Sequence, residues 1–458
     1  MKHFMNIKLI RPALILLFFF FFIYSENNYG LQNFSTSEVL TLDEENHLYD
    51  LIFRQMYHRF DSIVDISTHY YGFNGNLLIA SGNEIIYQVC SGYEDSHLTK
   101  LKPETAFQLA SASKQFTAMA ILILLKEGKL GLDDPLQRFI PELPYAGVTI
   151  RHLLNHTSGV PNYLWYIDNY WASDTELPTN EDMIRILSHH GAQLNFKPGT
   201  KFYYSNTGYA ILASVVERIS GQSFGTFLTE RVFRPLGMEN ASVRTPSSRA
   251  PDPSYLSGYR RSRSRSNSFE TVMHDGIAGD KGVYASIIDL FTWDQALNND
   301  LLVTHQIMQQ AFSAGRLENN REIPYGFGFR LDTEGSSRVV YHYGRWSGFR
   351  TAFVKYLPDN LTIIVLNNTS FNGVDQIVAA FRQTWDELAA CQSAKKIVET
   401  VLTEGVTEGM ILYSSQTQRD KEWMRQSGLF PELADYLEGQ GKHTKSKAIR
   451  EFSRQLPS

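Results

Sequence analysis

The sequence predicts an α+β fold, and three observations carry that expectation. β-type runs gather near both ends of a long central region, helical periodicity fills the stretch between them, and residues 386–458 are polar, helical and without strand signals. Strands at the two ends imply one antiparallel sheet assembled from pieces distant in sequence.

A chain of 458 residues is long enough for one large domain with appendages or for two ordinary domains. With 43% hydrophobic and 20% charged residues the composition is that of a soluble globular protein. A net charge of −5 leaves no basic footprint for nucleic acid. The one dense basic run, Arg260, Arg261, Arg263 and Arg265, lies among serines and reads as a solvated loop. The two cysteines, Cys90 and Cys391, fall in regions assigned to different domains and form neither a disulfide framework nor a metal-ligand set.

Each element can be justified in order. Lys2, Lys8 and Arg11 precede an apolar run from Ala13 to Ile23 that contains five consecutive phenylalanines. That run matches the core of a secretory signal and is shorter than the ~20 residues a spanning helix needs. Residues 1–25 are therefore expected to be a signal peptide, which implies export to the periplasm or beyond. An uncleaved membrane anchor is the alternative, because Ser25 is small but Ile23, two residues earlier, is not the small residue that cleavage favours.

Residues 26–65 form an N-terminal helical segment, with "LDEENHLYDLIFRQMYHRFDSIV" apolar at helical spacing from Leu42 to Val64 behind a Thr41 cap. Asn76–Ala80 and Glu84–Val89 flank a Ser-Gly-Asn turn and read as a hairpin. Ser111 to Lys126 is nearly all apolar, so its helix should be buried on most sides. Helices are expected at Glu181–Ser188 and at Gly208–Ile219, the latter stopped by Gly221; strands return at Arg338–Tyr343, Thr351–Tyr356 and Leu361–Leu366. Residues 66–385 thus make the main domain and residues 386–458 a helical extension. Its end, "ELADYLEGQGKHTKSKAIREFSRQLP", resembles one tetratricopeptide-type hairpin. A single such unit cannot bury its own core and should dock on the main domain or on a partner of unknown identity.

The chemistry centres on "FQLASASKQFT". A serine becomes a nucleophile only when a neighbouring base can take its proton. On a helix, residues three apart share a face and adjacent ones do not, so Ser111 and Lys114 can meet while Ser113 and Lys114 cannot. At a helix start Ser111 would also have free N–H groups and the positive end of the dipole nearby. Within an apolar wall, desolvation would lower the Lys114 pKa toward that of a useful base. A second tetrad of the same type, Ser393 to Lys396, lies in the polar tail with no such wall.

Two further elements stand downstream. Tyr204-Ser-Asn206 follows a Pro-Gly turn at a helix entrance, where a phenol can serve as general acid or base and a carboxamide can hold a substrate amide. His342-Tyr-Gly344 falls on an expected strand, and Gly344 would let a substrate backbone approach the strand edge. His189-His190-Gly191 has the same pattern, but it closes a helix and reads as a surface cap.

In this order the three elements resemble the serine β-lactamase and penicillin-binding-protein superfamily, on its class C-like side. Longer stretches carry the same likeness: "FQLASASKQFTAMAILILLKEGKLGLDDPLQRFIPELP", "VTIRHLLNHTSGVPNY", "GYAILASVVERISGQSF" and "AGDKGVYASIIDLFTWDQAL". The resemblance covers roughly residues 66–385. It implies a β-lactamase/transpeptidase-like sandwich, an antiparallel sheet flanked by helices with an all-helical subdomain. It also implies an acyl-enzyme on Ser111, with Lys114 and Tyr204 sharing the proton and either one the working base. The backbone N–H groups of Ser111 and Arg345 would form the oxyanion hole, Asn206 would orient the substrate amide, and no metal or organic cofactor would be needed. Lactamases typically carry Lys-Thr-Gly as the third motif. Here His342 stands in place of the lysine, a residue only partly charged near neutral pH, and the resemblance then favours peptidase- or esterase-like members. His156, in "LLNHTSGVP", resembles a structural loop residue of the family.

The expected function is a serine hydrolase acting on a small amide or ester, plausibly a D-amino-acid peptide or cell-wall fragment. Esterase and β-lactamase are alternatives on the same fold. A catalytically silent binding or scaffold protein is the alternative of another class.

Overall fold

The computed structural model describes residues 40–457, apart from 96–98, 191–192, 251, 261–267 and 333–337. The expected signal segment, the basic run beyond Arg260 and the Gly191 cap lie outside the described residues. The alternating runs after the first helix close as the expected hairpin, Gly75–Ser81 (β1) with Glu84–Ser91 (β2). Gly82 in its turn has a φ of 58°, a left-handed conformation that favours glycine.

Four late strands complete the sheet: Arg330–Asp332 (β3), Val339–Trp346 (β4), Phe349–Tyr356 (β5) and Leu361–Asn367 (β6). Their order is β2-β1-β6-β5-β4-β3, antiparallel throughout. The first strand lies beside the last, from Gly75 opposite Asn367 to Ser81 opposite Leu361. Every residue of β6 is buried, so both of its faces are covered. The sheet is assembled from both ends of the main domain, as the β-type runs predict.

The first helix, α1, is longer than its sequence signal and spans Leu42–Tyr71. Lys114–Lys126 (α2) is buried over all but its last two residues. Asn206–Ser220 (α3) ends at Gly221 in the left-handed conformation, as expected of that glycine. Full burial of each large apolar side chain on α2, such as Phe116, Ile121 or Leu124, contributes about 1.5–3 kcal/mol.

The chain divides into two compact units, Val64–Ala379 and a second that joins the segment ending at Ile63 to Ala380–Ser458. This revises the expectation of separate N-terminal and C-terminal appendages. Leu48, Leu51 and Ile52 of α1 share one hydrophobic core with Val398, Phe430 and Phe452 of the tail. The terminal hairpin, Leu429–Gly439 with His443–Gln455, is present, but three further helices precede it from Leu388 to Gln426. The tail's apolar face therefore has partners within its own unit. Helical periodicity reveals such a face and not what covers it.

Candidate active site

Phe107–Gln108 pairs with Val283–Ala285, and the Leu109 N–H donates to the Val283 carbonyl at 2.9 Å. This anchors the turn that follows. Residues Ala110–Ser113 form a 3₁₀ turn, not the start of the α-helix, and Ala110 has a strained φ of 51°. In a 3₁₀ turn residues i and i+3 eclipse. Lys114 consequently lies over Ser111, with Nζ 3.2 Å from Oγ. Ser113 faces elsewhere: it is buried and its Oγ accepts the Val283 N–H at 3.1 Å.

Lys114 is fully buried, and its ammonium has three donors. Besides Ser111 Oγ, they meet Asn206 Oδ1 at 2.9 Å and the Asp280 carbonyl at 2.8 Å. Were the amine neutral, those two fixed acceptors would use both N–H bonds and leave its lone pair facing Ser111. Asp280 was not among the residues singled out from sequence, because it contributes a main-chain atom. Its carboxylate accepts from Tyr163 Oη (3.2 Å) and Lys281 Nζ (3.4 Å). Burial lowers the Lys281 pKa, which the Asp280 and Asp275 carboxylates oppose.

Tyr204 and Ser205 precede α3, and Asn206 is its first residue. Lys114 Nζ and Arg330 Cζ lie 5.0 Å and 4.9 Å from the centroid of the Tyr204 ring. The Tyr204 hydroxyl is buried and has no hydrogen-bond partner among the described residues. Asn206 gives its oxygen to Lys114, which leaves its N–H₂ side for a substrate carbonyl. Arg330 was also missed. An arginine on a short edge strand carries no motif, and only the pairing of Arg330 with Tyr341 brings it here.

His342 occupies a different place from the one its motif suggested. It is buried, its Nδ1–H donates to the Tyr343 carbonyl (2.8 Å), and its Nε2 accepts from Tyr325 Oη (3.1 Å). Both nitrogens are thus engaged within the protein. Burial, with Lys114 and Arg330 nearby, pushes its pKa well below the ordinary histidine value. His342 is a neutral internal strut and presents no cation to a substrate.

His156 is depressed in the same way, first by burial and then by Lys114, so a pH effect on stability follows. Between pH 6.5 and the lower folded-state pKa the unfolded chain binds protons that the folded chain does not. Stability is therefore expected to fall as pH drops below about 6.5, by up to about 1.4 kcal/mol per pH unit for each histidine. Denaturant titrations from pH 7.5 to 5.5 should show that slope, and His342→Gln should reduce it by about one proton's worth. An unchanged slope would mean that His342 is not buried neutral.

Gly344 also serves the protein's own chain. A Cβ there would lie 2.1 Å from the Leu109 carbonyl oxygen and 3.1 Å from Ala110 Cβ. The glycine lets β4 press against the Ser111 turn, where substrate approach had been expected. Gly344→Ala must displace that turn, and a loss of about 10- to 100-fold in kcat/KM is expected, since misplacements of about 1 Å have such effects. Steady-state kinetics at a matched folded fraction would check it.

Arg345 has an exposed side chain, so its main chain is what matters. Trp346 and Phe349 flank a two-residue turn in which Ser347 and Gly348 have φ of 38° and 87°. Hydrogen-bonded and non-bonded pairs alternate from that turn, so Arg345, opposite Arg350, directs its N–H away from β5. β3 pairs β4 only as far as Tyr341, and among the described residues the edge beside Arg345 has no strand partner. The N–H of Ser111 precedes the first bond of its turn, Ala112 N–H to the Leu109 carbonyl, and has no acceptor within it.

The remaining sequence candidates separate cleanly. Ser393 to Lys396 lies in the other unit, where Lys395 pairs with Glu45 and Glu399. His189 and His190 are exposed, and His190 stacks on Tyr170.

Comparison with known proteins bears on this arrangement. The family described as Beta-lactamase matches residues 69–384. The chain belongs to the Beta-lactamase family. Within it, Penicillin-binding protein 4* of Bacillus subtilis (strain 168) is 38% identical over 312 residues, covering 65% of this chain and 68% of that protein. A D-aminopeptidase of Brucella canis is 26% identical over 314 residues, 68% of this chain and 59% of its own length. This chain thus spans about three-fifths of the D-aminopeptidase. Among solved structures, a penicillin-binding protein from Bacillus halodurans matches with a TM-score of 0.61 at 26% identity, over 71% of this chain and 98% of that one. The D-amino acid amidase of Ochrobactrum anthropi SV3, complexed with L-phenylalanine amide, matches at 0.62 and 22% identity, over 73% and 99%. The latter likeness is one of fold. The Beta-lactamase-family sandwich expected from the motifs is the fold observed, and the chain is a serine hydrolase of that family.

Proposed function

We propose that this serine hydrolase cleaves a small amide or ester through an acyl-enzyme on Ser111, with a D-amino-acid peptide or cell-wall fragment as substrate. One observation carries the reading: a buried Lys114 in direct contact with Ser111 Oγ and held by Asn206 and the Asp280 carbonyl. In the acylation step Ser111 Oγ bonds to the carbonyl carbon and passes its proton to Lys114 Nζ, which acts as base from its unprotonated form. The carbonyl electron pair moves onto oxygen, facing the N–H groups of Ser111 and Arg345. As the carbon–nitrogen or carbon–oxygen bond breaks, Tyr204 hands a proton to the leaving group. Water then attacks the Ser111 ester, giving a proton to the Tyr204 phenolate, and as the acyl carbon–Oγ bond breaks the proton held on Lys114 returns to Ser111 Oγ, releasing the acid.

Relatives named D-aminopeptidase and penicillin-binding protein support the substrate class. A neutral His342 lacks the permanent cation that Lys-Thr-Gly places at this motif position in lactamases. The half-buried Arg330 guanidinium, with no acceptor among the described residues, favours a peptide with a free carboxylate over a simple ester. Export belongs to the same proposal and rests on the sequence of residues 1–25 alone.

A fluorophosphonate probe with mass-spectrometric mapping should modify Ser111; labelling of Ser113, or none, would sink the assignment. Among a chromogenic cephalosporin, a short-chain p-nitrophenyl ester and D-alanyl peptides, the peptides should turn over fastest. Fast cephalosporin hydrolysis would overturn the substrate class.

A further inference from the structure

His156 takes no part in the chemistry above, yet it touches the chain on both sides of Tyr204. Its carbonyl accepts the Tyr203 N–H at 2.9 Å, and its Nδ1 accepts the Ser205 N–H at 3.1 Å. Its ring lies against the Tyr204 ring, with centroids 4.3 Å apart. We propose that His156 is a positioning residue that grips the main chain around Tyr204, and so sets the Tyr204 hydroxyl relative to Lys114. The proposal rests on the reading of Ser111, Lys114 and Tyr204 as the acylation machinery.

The details of the residue fit this role better than space-filling. His156 is 1% exposed and has a φ of 57°, a left-handed backbone that is uncommon outside Gly and in which Asn, Asp and His are enriched. An Nδ1 that accepts a hydrogen bond requires the proton on Nε2. Nε2 is buried without any partner among the described residues, so the ring's one hydrogen bond is the one to Ser205. Burial and the neighbouring Lys114 and Arg330 keep the ring neutral, which preserves the Nδ1 lone pair. Tyr325 and Tyr209 close around the ring, at centroid distances of 4.4 and 5.0 Å. The ring therefore has little room to turn.

Two substitutions separate grip from bulk. His156→Asn places an amide oxygen near the Nδ1 position and tolerates the left-handed backbone, whereas the longer arm of His156→Gln carries its amide past that position. With the fastest substrate of the panel, and active sites counted by fluorophosphonate titration, His156→Gln should lower kcat about 10- to 100-fold with KM within about threefold. His156→Asn should stay within about fivefold of the parent. In a Tyr204→Phe background, His156→Gln should cost at most about threefold, because no hydroxyl remains to be positioned. Equal losses for the Asn and Gln variants, or losses that multiply in the double variant, would overturn the proposal. If His156→Gln does not fold, the Asn variant decides: retained kcat supports the grip and a loss beyond about tenfold refutes it. A Tyr204→Phe enzyme as active as the parent would instead sink the reading of the site itself.

Discussion

Ser111→Ala is expected to lower kcat/KM by on the order of 10⁴-fold or more, the scale of loss when a nucleophile is removed from an acyl-transfer site. The prediction is sharp because a control stands two residues away. Ser113 Oγ accepts the Val283 N–H and points away from Lys114. Ser113→Ala leaves that N–H without its acceptor, so it should cost about 1–3 kcal/mol of stability while leaving activity within about tenfold. Thermal melts and steady-state kinetics on the two variants make the comparison. Abolished activity in the Ser113 variant together with an active Ser111→Ala protein would reverse the assignment.

The second large effect is expected from Lys114→Met. Methionine keeps the volume of the lysine stem, so the main loss is the nitrogen with its contacts to Ser111, Asn206 and Asp280. The proton of Ser111 then has no adjacent acceptor, and acylation should slow by about 10²- to 10⁴-fold, the range attributed to a positioned general base. Stability should change little, because losing a buried amine opposes the cost of stranding the Asp280 carbonyl and Asn206 Oδ1. The rate of fluorophosphonate labelling, measured beside a thermal melt, isolates the acylation step. Unchanged labelling would exclude Lys114 as the base and leave Tyr204.

What could be read from sequence was what neighbouring residues dictate. The Ser111–Lys114 spacing selects one serine of two, and the tighter 3₁₀ turn only brings the pair closer. The Pro-Gly turn before Tyr204 and the helix beginning at Asn206 are likewise local signals. His342 shows where this reasoning stops. Its motif position suggested a partly charged residue facing substrate, but its charge depends on Tyr325, Arg330 and burial. Gly344 was read as room for a substrate backbone, while the atom brought against it, the Leu109 carbonyl, lies far away in sequence.

By itself, the sequence determined the α+β class, the two-ended sheet, and the order of the Ser111, Tyr204 and His342 motifs. Periodicity, turn residues and helix spacing are properties of short segments, so they need no knowledge of the rest of the chain. Only the tertiary structure decided that Asp280 lends a carbonyl to Lys114, that Arg330 covers Tyr204, and that His156 holds both of that tyrosine's neighbours. It alone joined the first helix and the tail in one core. Each of these depends on which distant segments meet and on the burial that their meeting creates. An apolar face or a polar atom announces its need for a partner in sequence, and packing chooses the partner.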